Sequence, residues 1–143
     1  MTRAILALLV MASTAGADLS AVLAERNLEK RSRKALDYAA QALKAARNAY
    51  QQGQLDQTRQ HLQELNEAVQ LAYRSLQETG KNPVRHPKHF KHAEIKTREL
   101  LKHLGHFRDQ MAYDDRAVVE PVIQSIETIH EDLLLAIMGK KSK

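Results

Sequence analysis

The sequence predicts an all-α protein, an up-down-up-down antiparallel four-helix bundle that follows a cleaved N-terminal signal peptide. Three observations carry this expectation. Apolar residues recur at steps of three and four along several long segments, the spacing of one helix face. Aromatic residues make up only 4% of the chain and Trp is absent, so the core must be built from Leu, Ile, Val and Ala. That composition suits helix packed on helix. The breaks between the periodic segments carry Gly, Pro or Asp, the residues that end and start helices.

The first seventeen residues read as a leader rather than as part of the fold. Met1, Thr2 and Arg3 form a short positive start. Ala4 to Ala12 is a continuous apolar run, and Ala15, Gly16 and Ala17 supply the small residues of a cleavage site. This order of charge, apolar run and small residues is that of a secretory signal peptide. The run is well short of the roughly 20 residues a spanning helix needs. No transmembrane helix is expected in the mature chain, which would be exported to a periplasmic or secreted destination. The remaining residues, 18–143, form one domain at this length.

Four helices are expected, at about 19–52, 55–79, 91–112 and 115–138. In the first, Leu36, Ala39, Leu43, Ala46 and Tyr50 share one face. It is longer than its partners. Residues 18–28 (Leu19, Val22 and Leu23 among them) are therefore expected to overhang the bundle, either folding back over it or self-associating. The second helix has the clearest stripe: Leu55, Thr58, Leu62, Leu65, Val69, Ala72 and Leu76. The third presents Ala93, Thr97, Leu100, Leu104, Phe107 and Met111. The fourth presents Val119, Val122, Ile126, Ile129, Leu133 and Ala136.

Gly53 marks a tight turn between the first two helices. Gly80 is placed to terminate the second, with Pro83 beyond it. Asp114 and Asp115 are expected to cap the fourth helix, and Pro121 either to kink its first turns or to delay its start to about Glu120. Gly139 ends it. Short links at Gly53 and at 112–115 make their helices antiparallel neighbours, and the longer 80–90 link is expected to join adjacent helices too. The hairpin around Tyr50 and Gly53 is similar to a single tetratricopeptide hairpin, but no second repeat follows.

In this arrangement the start of the first helix, the 80–90 link and the C-terminal tail share one end of the bundle. All three are basic. Candidate residues for an anionic partner are Arg31, Arg33, Lys34, Lys81, Arg85, Lys88, Lys91, Lys96, Lys140 and Lys141. The opposite end collects Asp56, Asp109, Asp114 and Asp115. A formal net charge of only +5 thus conceals a polar distribution. Such an end attracts an anionic surface, a polymer or an acidic protein. Nucleic acid fits less well, because Phe90 is the only aromatic residue within the cluster to offer base stacking.

Seven histidines, five of them in the stretch that holds His86, His89, His92, His103 and His106, pose the competing reading, a metal-binding four-helix bundle. Glu99, His103 and His106 lie four and three residues apart on one helix face, so His103 and His106 could chelate an ion with a third ligand from elsewhere. His92 and His103 are about 16 Å apart along a helix and cannot share one. Glu127 and His130 have the Glu-x-x-His spacing of di-iron bundles, but the second copy such sites require is missing. His61 and His130 are expected to flank the core. No nucleophile elbow, phosphate loop or His-Glu-x-x-His motif is present. With no cysteine, thiolate chemistry and disulfides are excluded. The expectation is a non-enzymatic exported binding or scaffold module with no cofactor.

Overall fold

The computed structural model describes residues 15–140. The residues of the expected leader up to Thr14, and Lys141 and Lys143 of the tail, lie outside the described residues. Among the described residues the structure is entirely helical: α1 (Ala15–Leu23), α2 (Leu28–Gln51), α3 (Leu55–Glu78), α4 (Lys88–Gln110), a 3-10 helix (Tyr113–Val118) and α5 (Glu120–Ile137). No helix among them is long and apolar enough to cross a membrane.

The stripes read from the sequence form the core. Leu62, Leu65, Val69, Leu104, Val119, Ile126 and Leu133 are essentially inaccessible. α2 offers Ala35, Ala39, Ala42, Ala46 and Ala49 along its inner side. Small side chains let α3 approach closely, and the α2–α3 hairpin is the most extensive packing in the molecule. Two threonines enter the core at low cost, because each hydroxyl donates to a carbonyl of its own helix. Thr58 reaches Gln54 O at 2.8 Å and Thr97 reaches Ala93 O at 2.8 Å.

Three expectations need correction. First, the long opening helix breaks at residues 24–27. Asn27 caps α2, its side chain accepting from Lys30 N at 2.9 Å. The Glu25 carbonyl accepts from Arg31 Nε at 2.8 Å, and its carboxylate from Lys34 Nζ at 2.8 Å. These local bonds reward a break that a continuous helix would forgo. α1 then folds back on α2, with Val22 buried and Leu19 packed against the core. Residues 18–28, suggested for self-association, are in part docked on their own chain.

Second, α5 begins at Glu120 with Pro121 in its first turn and no side-chain cap. Asp114 and Asp115 belong instead to the preceding 3-10 helix. Asp115 is drawn elsewhere: its carboxylate accepts from Tyr50 Oη at 2.8 Å, while Tyr50 Oη accepts from Ala112 N at 2.9 Å. Tyr50 also meets Phe107 edge-on, with centroids 5.7 Å apart. The end of α2 is thereby fastened to the α4–α5 connection.

Third, α4 starts three residues early, at Lys88, and packs more extensively on α2 than on α3. The two run in the same direction. Arg33 Nε reaches His89 at 3.3 Å and Arg47 reaches the His103 carbonyl at 3.0 Å, both at a separation of 56 residues. α3 in turn lies against α5, where Gln70 donates to Ser125 at 3.4 Å. The link from Thr79 to Pro87 is long enough to carry the chain across the bundle rather than to the nearest neighbour.

Candidate functional site at the basic end of the bundle

The link is ordered by its own residues. Gly80 adopts φ +66°, which ends α3. Asn82 Oδ1 accepts from Val84 N at 2.8 Å and Arg85 N at 3.4 Å, an Asx turn. The Asn82 carbonyl accepts from His86 N at 2.8 Å. Residues 83–86 are thus held as a compact projection at the end of the molecule. The last turn of α5 reaches the same place: a side chain on Gly139 would stand 3.3 Å from Val84 Cγ2.

Glu29, in the first turn of α2, is the hub beneath this projection. Its carboxylate takes Lys81 Nζ from the link and His89 Nε2 from α4. Arg33 Nε donates to the other ring nitrogen of His89. The chain Arg33, His89, Glu29, Lys81 therefore ties α2, α4 and the link together. The lysine hydrogen bond, aided by the Lys81 charge and the hydrogen bond from His89, holds the Glu29 carboxyl below the usual carboxylate range. Glu25 is held low in the same sense, first by its hydrogen bond from Lys34. Burial pushes His92 below the ordinary histidine value, and the charges of Arg33 and Lys96 push it the same way.

The segments 25–34, 78–91 and 137–140 carry ten Lys and Arg residues but only three carboxylates. Those three are already engaged: Glu25 with Lys30 and Lys34, Glu29 with Lys81, and Glu78 with Arg31 at 3.9 Å. Arg85, Lys88, Lys91 and Lys140 are exposed. None of the four has a carboxylate partner among the described residues. Arg26 shares that condition, although only its place beside the α2 cap, invisible in the sequence, puts it in the group.

Several candidates divide from the rest: Arg31 and Lys81 are paired with Glu78 and Glu29, and Arg33 is half-buried against His89. Lys96 stands two turns along α4, pairs with Glu99 at 3.3 Å, and lines a groove of about 230 Å³ between α2 and α4. Lys34 is near the end but neutralised by Glu25.

Glu99, His103 and His106 are all exposed on α4. Among the described residues, no group of three or more His, Asp or Glu side chains is placed to hold a metal ion. His130 is half-buried and faces Glu94 of α4 at 3.1 Å, whereas Glu127 points to solvent. The nearly buried Glu94, also 3.7 Å from Arg98, gave no sign of itself in the sequence, since it sits one residue beside an apolar stripe. His61 flanks the core as expected, 3.5 Å from Glu64. No family model, curated protein or solved structure matches the chain.

Proposed function

We propose that the protein is an exported, non-enzymatic helical binding module whose basic end engages an anionic partner. One observation carries the reading most directly: among the described residues every side-chain carboxylate at that end is already paired, and Arg85, Lys88, Lys91 and Lys140 are left exposed without one. Unneutralised cations crowded at one end repel one another, a cost that an anionic ligand relieves. Export is supported by the leader pattern of residues 1–17. The absence of any catalytic motif from the sequence supports binding rather than turnover.

The test is affinity for polyphosphate, a flexible polyanion, across a salt series. Binding should weaken steeply as salt rises. Reversing two charges, Lys88→Glu with Lys91→Glu, should lower affinity about tenfold or more, roughly 1.4 kcal/mol or above. An affinity unchanged by the double reversal would refute the proposal.

A further inference from the structure

We infer that the partner of the basic end is an anionic lipid bilayer, with the Val84–Met138 tip entering its interface. The inference rests on the proposed basic end and adds what that end touches. Few large apolar side chains are exposed among the described residues, and three of them gather here. Val84 is 54% exposed, Met138 62% and Leu134 37%. Leu134 lies in the last turn of α5 and Met138 is the C-cap residue that follows, its N donating to Leu134 O at 3.0 Å. Val84 adjoins Gly139, the residue after Met138. Of the other exposed apolar residues, Leu23 ends α1 just before the 25–34 segment, while Ile95 lies on α4 and Tyr113 on the 3-10 helix.

The surroundings match the chemistry of a lipid headgroup layer. Lys81, Arg85, Lys88 and Lys140 lie within a few residues of Val84 or Met138 along the chain, and only Lys81 is paired. Near an anionic leaflet each unpaired Lys or Arg is worth about fivefold in affinity. Apolar side chains projecting among those cations can enter the boundary between headgroups and acyl chains, as interfacial anchors do. A soluble polyanion or an acidic loop would use the cations and leave Val84 and Met138 in water. The Asx turn at Asn82 and the Glu29–Lys81 tie hold the projection in place before it docks, which lowers the ordering cost. With no spanning helix among the described residues, such docking would be peripheral and reversible.

The test uses the protein in the form its own cells accumulate. Vesicles containing phosphatidylglycerol are compared with pure phosphatidylcholine vesicles and with polyphosphate. Binding is expected to the phosphatidylglycerol vesicles and to polyphosphate, but not to phosphatidylcholine. Val84→Ser with Met138→Ser should weaken vesicle binding about tenfold, by removing apolar surface from the interface. The same pair should leave polyphosphate binding unchanged. Both positions are exposed, so thermal unfolding should stay at the parental midpoint. The chain has no Trp, so Val84→Trp supplies a single reporter whose emission should shift to the blue on phosphatidylglycerol vesicles. Vesicle binding that ignores the serine pair, or a bound Trp variant with unshifted emission, overturns lipid docking. Loss of vesicle binding alone, with polyphosphate binding kept, refutes the bilayer and leaves the basic end standing. Failure of both probes refutes both.

Discussion

Replacing Tyr50 with Phe should loosen the end of the bundle opposite the basic one by a calculable amount. The substitution keeps the ring, and with it the edge-on contact to Phe107 at 5.7 Å. It removes only the hydroxyl, which donates to the Asp115 carboxylate at 2.8 Å and accepts from Ala112 N at 2.9 Å. A hydrogen bond to a charged group contributes about 1.5–3 kcal/mol. Asp115 is half-buried, so water recovers part of that, and the exposed Ala112 amide is rehydrated almost freely. The net loss should be about 1.5 kcal/mol. For a chain of this size it lowers the melting midpoint by roughly 3–6 °C.

Thermal and urea unfolding followed by far-UV circular dichroism read the change. Asp115→Ala, alone and combined with Tyr50→Phe, completes a double-mutant cycle. Residues in direct contact should show about 1 kcal/mol of coupling. A Tyr50→Phe loss below about 0.5 kcal/mol, the usual range of an inconsequential surface change, would refute the reasoning. So would strict additivity with Asp115→Ala. Polyphosphate affinity should not respond, because the two ends of the bundle are a full helix length apart.

Two further outcomes follow from the same geometry. Stability should fall in two steps as the medium is acidified. Burial holds His92 below its ordinary 6.5, and the charges of Arg33 of α2 and of Lys96 and His89 of α4 add to this while Asp37 of α2 opposes it. Its contribution is whole above pH 6.5 and declines below that, since the unfolded chain takes up the proton first. Glu25 and Glu29, held below 4.5, contribute fully above that value and are lost as pH falls through their folded values. In urea titrations across pH, His92→Gln should abolish the upper step only, and a step that persists in that variant would contradict the assignment. Zinc tests the competing metal reading. With His103 and His106 exposed and no third ligand gathered among the described residues, micromolar zinc should leave the melting midpoint unmoved. A zinc-dependent rise that His103→Ala removes would restore that reading.

The four long helices and several of their ends were written locally, and local energetics suffices to read those. A stripe such as Leu62, Leu65, Val69, Ala72 and Leu76 has one helical face to offer, and all five residues are buried. Gly53, Gly80 and Gly139 take φ values of 66° to 74°, so the chain turns where only glycine is comfortable. Pro121 sets the start of α5 because its ring suits a first turn and no later one. The crowding of Lys and Arg in a few segments was equally visible.

What the sequence left open are choices between distant partners. The same stripes are buried whether α4 settles against α2 or against α3, so periodicity is silent about which. The Arg33–His89, Glu29–Lys81 and Tyr50–Asp115 contacts join residues more than fifty positions apart. The break at residues 24–27 depends on Val22 finding a buried place on α2 as well as on the Asn27 cap. Above all, composition counts charges but cannot pair them. Only the folded chain brings Glu25, Glu29 and Glu78 to particular cations and leaves Arg85, Lys88, Lys91 and Lys140 without carboxylate partners among the described residues, beside an exposed Val84 and Met138, because electrostatic neutralisation acts through space over a few ångströms and not along the sequence.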